Sequence, residues 1–67
     1  MSTAATTSPW VELAARSAGT TEVILLWSRT SGRLWVVVLD IGSGETFVLD
    51  ARRDNALHVF YHPYAYR

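Results

Sequence analysis

The chain has no cysteine and no lysine among its 67 residues. Without cysteine no disulfide can staple the fold, and such a composition fits a reducing compartment, so a cytoplasmic setting is expected. Without lysine, arginine is the only fixed cation, and six Lys+Arg against six Asp+Glu leave a formal net charge of zero. That balance argues against a broad basic surface for nucleic acid or anionic lipid. Long apolar runs are also missing: the longest, Leu34 to Leu39, is six residues, where a membrane span needs roughly 20. Residues 1–8 are small and polar, with neither the basic start nor the apolar stretch of a secretory signal, and predict a disordered tail. Internal repeats are absent.

What is present is a stretch from Glu22 to Ala51 that reads as a β-meander. Val23 to Trp27, Leu34 to Leu39 and Thr46 to Leu49 are short runs rich in β-branched and aromatic residues, each bounded by turn chemistry. They predict strands at about 22–28, 34–40 and 45–51. Gly32 and Gly44 can supply the positive φ that closes a three-residue hairpin loop, which sets Arg29 opposite Arg33 and Ile41 opposite Glu45. In that register the odd-numbered side chains share one uninterrupted apolar face: Val23, Leu25, Trp27, Trp35, Val37, Leu39, Phe47, Leu49 and Ala51. The even face is half apolar.

The flanks are shorter. Ser8-Pro9 reads as a helix start, with Trp10, Leu13 and Ala14 at helical spacing and Gly19 as a stop. This segment is expected to form either a short N-terminal helix or a loosely docked arm anchored by Trp10. After the third strand, Asp54-Asn55 can cap a helix at about 54–62, with Leu57, Phe60, Tyr61 and Tyr64 on one side and Pro63 ending it. The fold class is α+β: a three-stranded antiparallel meander, with the C-terminal helix on the odd face, forming one small domain over residues 9–67. A core of this size rarely supplies more than about 3–5 kcal/mol. With apolar groups on both sides of the sheet and little chain left to cover them, association with a second copy or another protein is expected.

Four groups of residues bear on function. In the expected register Trp27, Arg29, Arg33, Trp35 and Arg53 gather at one end of the sheet. An aromatic platform ringed by arginine can hold a phosphate or a single-stranded base; equally, the arginines can lie along the tryptophans at the rim of the core. Asp54, His58 and His62 stand four residues apart, as metal ligands on a helix can, but no second cluster completes a shell, and a rim role is expected. Asp40-Ile41-Gly42-Ser43-Gly44-Glu45 has glycines but no P-loop lysine and no following helix, so it reads as a hairpin turn. Tyr61, Tyr64 and Tyr66 lie in an aromatic tail suited to docking or to lining a small core.

No nucleophile stands with a base and an orienting group, and no cofactor motif is present, so neither enzymatic activity nor a cofactor is expected. The Ser31-Gly32-Arg33 turn in a three-strand meander resembles a WW domain, but the second signature tryptophan and the terminal proline are not where that family has them. The strand Glu22 to Leu26 with Trp27-Ser28-Arg29, the Gly44-Glu45 turn and the ending Ala56 to Tyr66 together cover about two thirds of the chain. They resemble small uncharacterised proteins of high-GC Gram-positive bacteria, a resemblance that implies a bacterial cytoplasmic setting and no known activity. The expected role is a non-enzymatic interaction module, with weak binding of single-stranded nucleic acid or a phospho-ligand at the Arg/Trp patch as the alternative.

Overall fold

A computed structural model describes residues 9–67; the tail expected over residues 1–8 lies outside the described residues. The chain runs through β1 (Trp10–Ala18), β2 (Thr21–Ser28), β3 (Leu34–Asp40), β4 (Glu45–Ala51), α1 (Ala56–Tyr61) and a single 3₁₀ turn (Pro63–Ala65). The strands form one sheet in the order β1-β2-β3-β4, with every neighbouring pair antiparallel. The fold is therefore α+β with a short C-terminal helix, but the sheet has four strands rather than three.

The added strand replaces the expected N-terminal helix or arm. Alanine, leucine and glutamate in this segment favour helix in isolation, yet a helix of about ten residues is marginal without tertiary support. As a strand the same segment pairs with β2 from Trp10 opposite Ser28 to Ala18 opposite Thr21. Gly19, with φ 61, opens a two-residue loop with Thr20 and so turns the chain into β2 instead of stopping a helix. The register shifts between Glu12 and Ala14, and this bulge frees Leu13 from the ladder.

Both later hairpins close on four loop residues, not three. Ser28 N–H donates to the Arg33 carbonyl and Gly32 N–H to the Ser28 carbonyl, each at 2.9 Å. The next hairpin repeats the arrangement, with Asp40 opposite Glu45 and Gly44 N–H donating to the Asp40 carbonyl at 2.7 Å. Gly32 and Gly44 occupy the last loop position at φ 75 and 76, a conformation that costs other residues about 1–2 kcal/mol.

One extra loop residue at each hairpin turns β3 over while β2 and β4 keep facing the same way. Trp27 pairs with Leu34, and Trp35 pairs with Leu26. The two tryptophans expected side by side lie on opposite faces of the sheet. The buried face instead combines Val23 and Leu25 of β2 with Leu34, Val36 and Val38 of β3, against Ala56, Val59 and Phe60 of α1. Ala14, Phe47, Leu49 and Ala51 pack around this cluster.

Helix α1 reaches this face through a tight turn in which Asn55 N–H donates to the Arg52 carbonyl at 3.0 Å and the Asn55 side chain accepts the Arg52 N–H at 2.8 Å. It stops at Tyr61 because the residue before a proline is pushed out of helical geometry; His62 lies at φ −135, ψ 55. The described chain is a slab of 32 × 31 × 15 Å, thick enough for one sheet and a partial layer on one side.

Candidate functional site

With α1 and the 3₁₀ turn on one side, the other side of the sheet carries no described element. In register across it stand Ala15, Ile24, Val37 and Val48, one apolar side chain from each of the four strands. Leu26 and Trp35 flank this row at one end and Leu39 at the other. Val48 is 54% exposed, whereas Val36 and Val38 on the covered side are 0% exposed. The charged groups of the open face are peripheral: Glu12 on edge strand β1, Asp50 on edge strand β4, and Glu22 near the hairpin end.

Two of the predicted patch residues meet here. The Arg33 guanidinium donates to Asp50 Oδ1 at 2.9 Å and lies 5.6 Å from the Trp35 ring centroid. Trp35 Nε1 donates to the same carboxylate oxygen at 2.6 Å, and its ring stacks on Trp10 with centroids 4.1 Å apart. Arg33 is thus already paired with a carboxylate, and the reading in which the arginines lie along tryptophan is the one the geometry favours at this position. Trp27 and Arg53 lie across the sheet from them, in a groove on the helix side with Leu13, Leu25, Gly32, Leu34 and Ala56. Arg29 sits in the β2–β3 loop, where its backbone N–H donates to the Pro9 carbonyl at 2.8 Å. The five residues do not form one patch, because the one-residue change in register puts the sheet between Trp27 and Trp35.

The aromatic tail folds back on the protein. Tyr64 meets Phe47 edge-on at 5.3 Å, and the Tyr66 hydroxyl lies 2.5 Å from His58 Nδ1. Arg67 pairs with Glu45 and covers the Phe47 ring. Tyr61, Tyr64 and Tyr66 remain 58, 51 and 41% exposed although each has a structural neighbour. Asp54 bonds to Arg52, while His58 packs on His62 with centroids 4.7 Å apart. Among the described residues no three His, Cys, Asp or Glu side chains gather as metal ligands do.

Arg16 of β1 was not among the sequence candidates, yet its side chain makes three hydrogen bonds. Its Nε and Nη2 donate to the Phe60 carbonyl at 3.1 and 2.9 Å, and Nη2 also reaches the Tyr61 carbonyl at 3.1 Å. The guanidinium lies 5.5 Å from both the Phe60 and the Tyr61 ring centroids. A cation bonded to the last carbonyls of α1 satisfies acceptors that the helix cannot. The sequence signal was the Gly19-Thr20 pair, a two-residue hairpin loop that would have placed Arg16 on a strand.

At the far end of the sheet, Asp40 Oδ1 accepts from the Thr20 hydroxyl at 2.9 Å and from the Gly42 N–H at 3.1 Å. The Thr20 hydroxyl first, and the hydrogen bonds from Ser43 and Gly42 after it, hold the Asp40 carboxyl below its ordinary range. The Ile41 N–H donates to the Thr20 carbonyl at 2.9 Å, so the Gly-Ser-Gly loop is a clasp between two hairpins. A carboxylate at its entrance repels a phosphate.

No helix among the described residues is long and apolar enough to cross a membrane. No family model matches the chain, and no curated protein or solved structure matches it either.

Proposed function

We propose that the chain is a non-enzymatic protein-interaction module that associates with a second copy of itself through the open sheet face. The observation that carries this reading is the row Ala15, Ile24, Val37 and Val48, apolar on every strand and covered by no described element. An apolar centre with charges at the perimeter is the anatomy of an interface. Four strands of about seven residues give a face of roughly 19 by 23 Å, on the order of 900 Å² buried when two copies meet, which belongs to weak, reversible association.

A second copy suits this face because the apolar row that crosses all four strands is self-complementary under two-fold symmetry. With the axis along the strands, β1 of one copy lies over β4 of the other, so that Ala15 meets Val48 and Ile24 meets Val37, while Glu12 falls over the row of Asp50 and its partner Arg33 at the perimeter. Single-stranded nucleic acid or a phospho-ligand fits less well: Glu12, Glu22 and Asp50 outnumber Arg33, which Asp50 already holds.

Sedimentation equilibrium tests the reading. The expected result is a reversible dimer with a dissociation constant on the order of tens of micromolar, and a folded monomer for Val48→Lys at the same concentrations. Val48 is already 54% exposed, so the substitution spares the core, and far-UV circular dichroism verifies the fold. A wild-type chain that stays monomeric at about 1 mM, or a Val48→Lys variant as dimeric as wild type, overturns it.

A further inference from the structure

Among the described residues a concavity lies at each end of α1 on the helix side of the sheet, and each contains an arginine. In the first, Arg16 is consumed: its guanidinium is bonded to the Phe60 and Tyr61 carbonyls and holds the helix in place. In the second, Arg53 has no ion pair or hydrogen bond to its side chain among the described residues, while the nearby Asp54 carboxylate is occupied by Arg52. The second concavity is a groove of about 540 Å³ whose floor and walls are Leu13, Leu25, Trp27, Leu34 and Ala56. That volume is in the range of small-molecule sites.

Two large apolar side chains stay in solvent at this groove although it adjoins the core: Leu13 is 52% exposed and Trp27 is 37% exposed. The bulge in β1 turns Leu13 into the groove, and α1, being six residues long, does not extend far enough to cover it. An apolar trough with one available guanidinium at its rim is complementary to a molecule with an apolar body and one anionic end. Arginine holds a carboxylate through two parallel hydrogen bonds, and the indole of Trp27 offers a flat wall to the body.

We infer that the groove between the β1 bulge, the β2–β3 hairpin and the start of α1 is a binding site for a medium-chain apolar carboxylic acid, with its carboxylate on Arg53 and its chain against Leu13 and Trp27. The site lies on the side of the sheet away from the proposed self-association face, so neither reading depends on the other.

The test is a titration of the isotope-labelled Val48→Lys protein with decanoate below its micelle concentration, followed by amide and indole NMR, with decanol as the uncharged control. Decanoate is expected to move the Trp27 indole signal and the amides of Leu13, Gly32 and Ala56, leaving the Trp10 and Trp35 indoles in place. Arg53→Gln is expected to weaken decanoate about tenfold and to leave decanol unchanged. Equal affinity for decanoate and decanol, undiminished binding by Arg53→Gln, or shifts centred on Trp35 overturns the assignment. The Val48→Lys background keeps a failure here separate from any failure of self-association.

Discussion

Val36 and Val37 are neighbours with the same side chain, yet Val36 is fully buried and Val37 is only half-buried on the uncovered side. The intrinsic chemistry of β3 does not distinguish its two sides. What distinguishes them is where the short helix lands: Val59 and Phe60 of α1 close over Val36 and Val38 and leave Val37 with strand neighbours alone. One side of the sheet is therefore a core and the other an apolar surface of similar composition without its cover.

The sharpest way to break that comparison is to truncate one apolar side chain on each side. Phe60 is 2% exposed at the centre of the covered side, and Phe60→Ala is expected to cost about 3–5 kcal/mol, comparable with the whole stability of so small a core. Val48→Ala on the open side is expected to change monomer stability by no more than about 0.5 kcal/mol. Urea denaturation of both variants in a dilute, monomeric regime measures the difference, and similar losses would mean that the two sides are equivalent.

Detaching the cover without emptying the core sharpens the same contrast. Arg16→Met keeps most of the apolar stem but removes the guanidinium from the Phe60 and Tyr61 carbonyls. Bonds from a charged donor are worth about 1.5–3 kcal/mol, and the loss is expected near the lower end because the site is only partly buried. Hydrogen exchange should quicken at the α1 amides while the β2–β3 ladder stays protected. Uniform quickening would show that helix and sheet open together.

The same two-sided chemistry explains which parts of the fold were legible in the sequence. Three strands and the existence of the C-terminal helix could be read because β-branched runs and helical spacing have distinct periods, but of the expected inward side only Phe60 packs on the sheet: Ala56 and Val59 are buried with it, and Leu57 and Tyr61 are 63 and 58% exposed. Register could not. Leu34 to Leu39 is apolar at every position, so turning β3 over still yields an unbroken apolar face, and the pattern that normally rejects a slip is silent. The loops did not decide it either, since Gly32 and Gly44 can end a three-residue or a four-residue loop. The β1 segment was hidden by its helix-favouring residues and by the bulge at Leu13, which breaks the alternation of a strand.

Legibility of the candidate site followed register. Arg33 beside Trp35 and Arg53 beside Trp27 are both tryptophan–arginine neighbourhoods of the kind expected, but they lie on different sides once β3 turns over. The Gly19-Thr20 loop could have placed Arg16 on a strand, but its carbonyl partners, 44 and 45 residues away, leave no local signal. If the covered core rather than the last loop glycine sets the register, Gly44→Ala at φ 76 is expected to cost about 1–2 kcal/mol while leaving Asp40 opposite Glu45. Nuclear Overhauser contacts across β3–β4 would detect a slip, and loss of the Val37–Val48 pairing would show that the loop, not the covered core, holds β3 in place.

The smallest effect is expected where neither side of the sheet is involved. Asp40 joins the β1–β2 turn to the β3–β4 turn through Thr20 and Gly42, and Gly42 has no room for a side chain because an added Cβ would lie 2.8 Å from Thr20 Oγ1. The folded state lowers the Asp40 pKa, with the Thr20 hydroxyl as the largest cause. The clasp therefore contributes its stability above the unfolded-state value of about 3.9 and loses it as pH falls through the lower, folded value. Both Thr20→Val and Asp40→Asn should flatten the dependence of unfolding on pH in that acidic window by lowering stability at neutral pH toward the wild-type value at low pH; the asparagine keeps an oxygen for the Thr20 hydroxyl but lacks the charge that strengthens the bond. Neither should alter self-association measured at pH 7. A variant whose acid sensitivity matched wild type would place the titrating group elsewhere, and one that lost self-association would show that the open face depends on how its hairpins are tied.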